Sequence, residues 1–433
     1  MKYSLDRDLW QNKSILILGF GREGRAAYNF LKSQLPECEF GISDISESID
    51  IQSKSNLNLH LGSDYLSVLS DYDIIIKSPG VQLPDLSAKE MSKIVTPTEI
   101  FLCLFSEQTI GITGTKGKST TATLIHHFLI STGKKAILLG NMGLPALNYV
   151  DQIEEDTLIV FELSAHQLEY VHHSPHISLL LNIFPEHLDY FKTFADYRNA
   201  KYNIFAYQKP GDTAICAQKG LSCPKGEVLE NPDTELQQMT GGKYTLESIE
   251  QLTQLKGQHN FSNIVAALKV VERMRIPVEE AIKTLPGFAP LPHRLEFVGE
   301  FGGVRFYNDS ISTVPQSTIE AIKTLNDVNA LILGGYDRGL DYSELTNFLV
   351  ESHIEYFYFL GKAGQRMFEI LNKKEHQQYF KVRDLEDVFA RIRNEKNIKG
   401  CLLSPAASSY DQFKNFEHRG DHFKALARRF ERA

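Results

Sequence analysis

Short apolar runs, each closed by glycine or a polar cluster, alternate with helix-length stretches along most of the chain. SILILGFG (14–21), DIIIKSPG (73–80), TLIVFEL (157–163), ISLLLNI (177–183), GVRFYND (303–309), NALILGG (329–335), YFYFLG (356–361) and KGCLLSP (399–405) predict strands. At 109–129, TIGITGTKGKSTTATLIHHFL predicts strand, glycine loop and helix in succession. Such alternation predicts the α/β class with largely parallel sheets, whose ligands sit beyond the carboxyl ends of the strands.

A chain of 433 residues exceeds the ~250–300 at which one core usually splits, so several domains are expected. FSEQT (105–109) and the proline-rich PGFAPLPHR (286–294) read as linkers, giving domains at 1–106, 107–293 and 294–433. The polar stretch 217–256 carries no clear pattern.

Composition narrows the classes. Hydrophobic residues at 42% and charged residues at 23% are ordinary for a folded protein. A formal charge of −8 provides no basic footprint, so nucleic acid is not expected as the main partner. Five cysteines, odd in number and forming no CxxC pair, point to reduced thiols rather than a disulfide or metal framework. MKYSLDRDLW has no long apolar core, and no apolar run reaches the ~18 residues of a membrane span; a cytoplasmic setting and no membrane span are expected.

The sharpest chemical signal is Thr113-Gly114-Thr115-Lys116-Gly117-Lys118-Ser119 between a strand and a helix. Glycines let backbone N–H groups turn towards phosphate oxygens, Lys118 reaches the terminal phosphates, and the Ser119 hydroxyl suits magnesium. The strict pattern places glycine five positions before Gly117, where this chain has Ile112. A bare glycine turn is the plainer alternative; GKS in this setting favours the phosphate loop.

Gly19-Phe20-Gly21-Arg22-Glu23-Gly24 also joins a strand to a helix, with Asp44 downstream. It fits a Rossmann-like dinucleotide loop, the diphosphate of another nucleotide, or a tight turn only. Magnesium takes oxygen ligands and few carboxylates. Glu162 closes an apolar strand, and His187 and Asp189 follow another, so these strand-end groups downstream of a phosphate loop are candidates for metal work.

TGTKGKST, GNMG (140–143), ELSAHQLE (162–169), NIFPEHLD (182–189), YRNAK (197–201), GQHNFSN (257–263), LPHR (291–294), NDSIST (308–313), LILGGYDRG (331–339) and SPAASSYDQFKNFEHRG (404–420) occur in that order. Together they resemble the Mur ligases, in particular the glutamate-adding members, from the first glycine loop to the last helix. The resemblance implies a Rossmann-like domain for a UDP precursor, a central phosphate-loop ATPase-like domain, and a Rossmann-like C-terminal domain for the amino acid. It implies ATP-dependent, ADP-forming addition of glutamate to UDP-N-acetylmuramoyl-L-alanine through an acyl phosphate, in cell-wall precursor synthesis and hence cell shape and division. Expected cofactors are ATP and two magnesium ions, and a monomer is expected.

By resemblance, Gly19, Gly21, Arg22, Glu23, Gly24, Asp44, Ser78, Asn141 and His187 would meet the UDP precursor. Gly114, Thr115, Lys116, Gly117, Lys118, Ser119 and Thr120 would hold ATP phosphates, with Asn263, His293, Arg294 and Asp309 at the adenosine. Ser119, Glu162, His187 and a carbamylated Lys201 would hold metal, and Lys118, His187 and Lys201 would be catalytic. Thr313, Arg338, Ser409 and Phe416 stand where the family holds glutamate.

Two positions depart from the pattern. Ile311 replaces a lysine common in the family's Asn-Asp-Ser-Lys run, and Arg338 stands where lysine is common. NDSIST with Pro315, FPEHLD and YDRGLD resemble the branch that adds L-glutamate, whereas SYDQFKNFEHRG resembles the D-glutamate branch. D-glutamate is the expected substrate and L-glutamate the alternative. A folylpolyglutamate-type ligase would lack the first glycine-loop domain, and a nicotinamide oxidoreductase would leave the phosphate loop unused. A non-catalytic precursor binder would be expected to have lost Lys118 or Glu162; both are present.

Overall fold

A computed structural model describes residues 10–51, 57–140, 145–188, 190–223, 226–255, 257–289 and 291–431. The expected site residues Asn141 and Asp189 lie outside them. The alternation seen in the sequence becomes three separate sheets. Apolar residues occupy both faces of the inner strands, as sheets covered by helices require.

The first sheet contains β1 (Ser14–Leu18), β2 (Glu39–Asp44), β3 (Leu57–Leu61), β4 (Ile74–Lys77) and β5 (Ile94–Val95) in the order β3-β2-β1-β4-β5. All its pairings are parallel. Leu18 stands beside both Ser43 and Lys77, so the glycine loop after β1 emerges between the ends of β2 and β4. That reversal of strand order is where open α/β sheets form a ligand crevice.

The second sheet contains β6 (Thr109–Thr113), β7 (Ala136–Gly140), β8 (Leu158–Glu162), β9 (Ile177–Leu180), β10 (Thr213–Cys216) and β11 (Glu227–Val228). Its order is β11-β10-β9-β6-β8-β7, again parallel throughout. Ile112 pairs with Glu162 and Thr113 with Leu180, so the chain leaves β6 flanked by the ends of β8 and β9.

The third sheet contains β12 (Glu296–Phe301), β13 (Val304–Asn308), β14 (Ala330–Gly334), β15 (Tyr356–Leu360), β16 (Gln378–Val382) and β17 (Gly400–Leu403) in the order β12-β13-β17-β14-β15-β16. Only the β12–β13 hairpin is antiparallel. Asn308 and Ile332 both pair with Leu403, which brings the loops after β13, β14 and β17 to one edge.

By contacts the chain forms two compact units, 1–288 and 289–433. The first holds two sheets because they share a core. Phe101, on the helix Pro97–Phe105, meets Phe161 of β8 with ring centroids 5.2 Å apart, inside a cluster that also includes Ile17, Phe40 and Leu139. The stretch 217–256 contains β11 and the helices Pro232–Thr240 and Leu246–Leu252. Among the described residues no helix is long and apolar enough to cross a membrane.

Candidate active site

The phosphate loop is built where β6 hands over to the helix Lys118–Ser131. Gly117 caps this helix with φ +86°, and a Cβ there would come 2.5 Å from Asn263 Oδ1. Glycine is therefore required twice over, for its left-handed backbone and for the close approach of Asn263. The loop is secured from β9's end: Thr115 N–H donates to the Asn182 carbonyl at 2.8 Å, and Lys116 N–H to Asn182 Oδ1 at 2.8 Å. Asn182 Nδ2 returns a bond to the Lys116 carbonyl at 3.0 Å. Asn182 opens the NIFPEHLD run, where nothing local in the sequence signals this role. Lys116 itself turns outward to Glu186, 2.7 Å away.

Four side chains converge beneath this loop. Lys118 Nζ donates to the carbonyls of Gly114 and Thr115 at 2.9 and 3.0 Å. Lys201, on the helix Phe194–Ala206, is 2% exposed and donates to the same Gly114 carbonyl at 2.8 Å. Burial, reinforced by the Lys118 cation, pushes the Lys201 ammonium down to about 6. At neutral pH it is mostly a free amine. Ser119 Oγ donates to Glu162 Oε1 at 3.2 Å. Glu162 is 2% exposed, and its Oε2 is buried without a hydrogen-bond partner. Thr120 is buried in the first turn of the helix.

A buried carboxylate oxygen with no donor beside a hydroxyl is a donor set suited to a hard, oxygen-loving cation. Ser119 and Glu162 thus fit magnesium. No group of three His, Cys, Asp or Glu clusters as a metal cage among the described residues. A magnesium ion held by one or two carboxylates and substrate phosphates needs none. His187 stands nearby on strained backbone, φ +56°, which costs ~1–3 kcal/mol for a residue with a side chain. Its ring lies 5.0 Å from that of His166 and 6.2 Å from that of Tyr197. His166 belongs to the ELSAHQLE run, which by itself does not signal this ring contact.

The glycine loop after β1 closes onto its own sheet. Asp44 accepts from Phe20 N–H at 2.6 Å and from Ser46 N–H at 2.8 Å. Ser78 Oγ donates to the Gly19 carbonyl at 2.7 Å. A Cβ at Gly24 would stand 1.9 Å from the Gly19 carbonyl oxygen, so the helix Arg22–Gln34 can start this close only with glycine there. Gly21 and Arg22 are exposed at the helix start, and burial raises the Glu23 carboxyl to about 7. A cleft of about 370 Å³ opens here, lined among others by Gly19, Asp44, Tyr65, Gly80 and Tyr190.

In the second unit the loops after β13, β14 and β17 come together. Asp309 is buried, accepts from Ser404 Oγ at 2.7 Å and from Leu295 N–H at 3.2 Å, and burial raises its carboxyl to about 6. His293, with φ +63°, meets Asn308 Nδ2 through Nδ1 at 2.9 Å, and the Nε of Arg294 is buried without a partner. Arg338 Nη2 donates to the Thr313 carbonyl at 3.0 Å. Ser409 is buried, and the Phe416 carbonyl accepts from Ser310 Oγ at 2.8 Å. Arg419, for which no local sequence signal exists, is buried and donates to Ser310 Oγ, the Ser310 carbonyl and the Ala407 carbonyl at 2.9, 2.8 and 3.1 Å. It ties the loop after β13 to the loop after β17.

Residues 112–224 match the Mur ligase middle domain. The UDP-N-acetylmuramoylalanine–D-glutamate ligase of Geotalea uraniireducens is 32% identical over 96% of this chain and 97% of its own length. The chain belongs to the Mur ligase family. The Bacillus subtilis and Natranaerobius thermophilus ligases of the same name are each 31% identical over 95% of this chain and 97% of theirs. Among solved structures, the MurF ligase of Thermotoga maritima in complex with ADP superposes with a TM-score of 0.57 at 15% identity, covering 96% of this chain and 95% of that one. The Thermotoga maritima MurC ligase has a TM-score of 0.57 at 16% identity, covering 96% and 99%. These likenesses carry the Mur ligase fold. The protein is accordingly a ligase.

Proposed function

We propose that the protein adds D-glutamate to UDP-N-acetylmuramoyl-L-alanine, forming ADP and phosphate. The observation that carries this reading is the convergence of Lys118, Ser119, Glu162 and Lys201 at the phosphate loop of a chain so similar to D-glutamate ligases. The precursor would lie along the first glycine loop, with Asp44 and Ser78 shaping its diphosphate and ribose site and His187 further along. We assign 1–106 to the precursor, 107–293 to ATP and 294–433 to the amino acid.

In the first step the alanyl carboxylate attacks the γ-phosphorus of ATP, and ADP leaves. An acyl phosphate results. The amine of glutamate then attacks the acyl carbon, phosphate departs, and the amide forms. Backbone N–H groups of Gly114 to Ser119 and the Lys118 ammonium hold the β- and γ-phosphates and offset the charge on the transferring group. Asn263, His293, Arg294 and Asp309 are assigned to the adenosine. Lys201, as a free amine, takes up carbon dioxide, loses a proton and becomes a carbamate. That anion, Glu162 and Ser119 would hold magnesium, which supplies neutralisation of phosphate charge when bound.

Arg338 and Thr313 would orient the α-carboxylate of glutamate, and Ser409 and the Phe416 backbone its side-chain carboxylate. Ile311 and Arg338 favour a second reading in which L-glutamate is added. Phosphate release measured with ATP, the UDP precursor and each glutamate in turn decides between them; release independent of the precursor would contradict both.

A further inference from the structure

Lys77 is a charged residue closing the otherwise apolar strand β4, and it is 0% exposed. Its Nζ donates to Tyr190 Oη at 3.0 Å, lies 3.7 Å from Glu169 Oε2, and sits 5.1 Å from the centre of the Tyr170 ring. The Tyr190 hydroxyl in turn donates to Glu169 Oε2 at 2.8 Å. Gln82 Nε2 holds the Tyr190 backbone carbonyl at 3.2 Å. A cation, an anion and a phenol thus satisfy one another across the junction of the first two sheets. Such a network restrains its members, because the fully buried Lys77 ammonium depends on the partly exposed Glu169 carboxylate and the Tyr190 hydroxyl for its compensation.

Tyr190 is the point where this network meets the nucleotide cleft. It lines the cleft together with Gly19, Asp44 and Gly80, which lie at or just beyond the ends of β1, β2 and β4. Its ring also lies 4.3 Å from His166, which stands 5.0 Å from His187, and its N–H donates to the His187 carbonyl at 3.1 Å. A molecule seated in the cleft and touching Tyr190 therefore bears on the strained turn of His187.

We propose that Tyr190, fixed by Lys77 and Glu169, is a specificity residue for the nucleoside diphosphate end of the precursor, and that Lys77 is its positioning residue. The proposal rests on reading this cleft as the precursor site. A tethered aromatic wall suits a flat base or the apolar face of a ribose, and a ring already fixed loses little freedom on binding.

The test titrates the full chain with UDP alone, by calorimetry. Tyr190→Ala should bind UDP about tenfold more weakly, the scale of one aromatic contact. Tyr190→Phe, which keeps the ring and cuts its tether, should lose roughly threefold. Lys77→Met should match Tyr190→Phe for UDP and leave ATP binding unchanged. Unchanged UDP affinity in Tyr190→Ala, alongside weakened binding in Asp44→Ala, would overturn the role of Tyr190 and leave the precursor cleft standing. If Tyr190→Ala does not fold, unchanged affinity in Tyr190→Phe overturns it instead. Equal loss of UDP and ATP binding in Lys77→Met would make that lysine merely structural. Absence of UDP binding by the unaltered chain would instead remove the precursor reading itself.

Discussion

Lys118 and Lys201 donate to one acceptor, the carbonyl oxygen of Gly114, at 2.9 and 2.8 Å. Two ammonium groups cannot both stay charged so close together at low cost. The deeper one yields: burial and the Lys118 cation bring Lys201 down to about 6. The same shift that weakens Lys201 as a base leaves it a nucleophile for carbon dioxide at neutral pH.

Lys201 should therefore carry a carbamate when the enzyme is active. Lys201→Ala should be inactive and regain part of its activity with added formate or acetate. Full activity in this variant would refute the role.

The shift also has a stability consequence. Between about 6 and 10.5 the unfolded chain binds a proton at Lys201 that the folded chain does not, so folding stability rises with pH across that window. In buffer freed of carbon dioxide, Lys201→Met should raise the urea midpoint more at pH 6 than at pH 9. An equal change at both values would show that the lysine is not depressed.

Lys118→Ala should lower ligation by about 10²–10³-fold, because this ammonium acts most on charge developing in transfer. Calorimetry with UDP should show precursor-site binding kept. Near-normal turnover would remove the ATP assignment from this loop.

Asn182→Ala should raise KM for ATP by about tenfold, since it removes the two bonds from the Asn182 side chain to the Lys116 backbone. UDP binding should be unaffected; steady-state kinetics and titration check the two halves.

Much of this was legible from residue order. The glycine loops announced themselves because TGTKGKS and GFGREG each follow an apolar strand and open a helix, and Glu162 stood out as an acid ending an apolar strand. Asn182, His166 and Arg419 did not, because their partners lie far away in sequence: the Lys116 backbone, the His187 ring, and the Ser310 hydroxyl and carbonyl. Lys77 was visible as a charge in DIIIKSPG, but only its contact with Tyr190, at a separation of 113 residues, gives it meaning. Within 217–256 local signals existed: Asn231 caps the helix Pro232–Thr240 by accepting from Asp233 and Thr234, with proline in the first turn. Weak apolar periodicity hid it. The core shared by the first two sheets was also hidden, because it is built from pairs such as Phe101 and Phe161, distant in sequence.

Arg338→Ala should weaken glutamate use by about 10²-fold and leave KM for ATP within about twofold, because Ile311 has already removed one cation from this region. Similar losses for glutamate and ATP would place Arg338 outside the amino-acid site.

The central claim is tested most directly by phosphate release from the purified protein with ATP, magnesium and UDP-N-acetylmuramoyl-L-alanine, supplied with D- or L-glutamate separately. Release that requires the UDP precursor and D-glutamate, with formation of the dipeptide product, is the expected result. Release with L-glutamate alone would contradict the choice of enantiomer, and release with neither would contradict the ligase assignment.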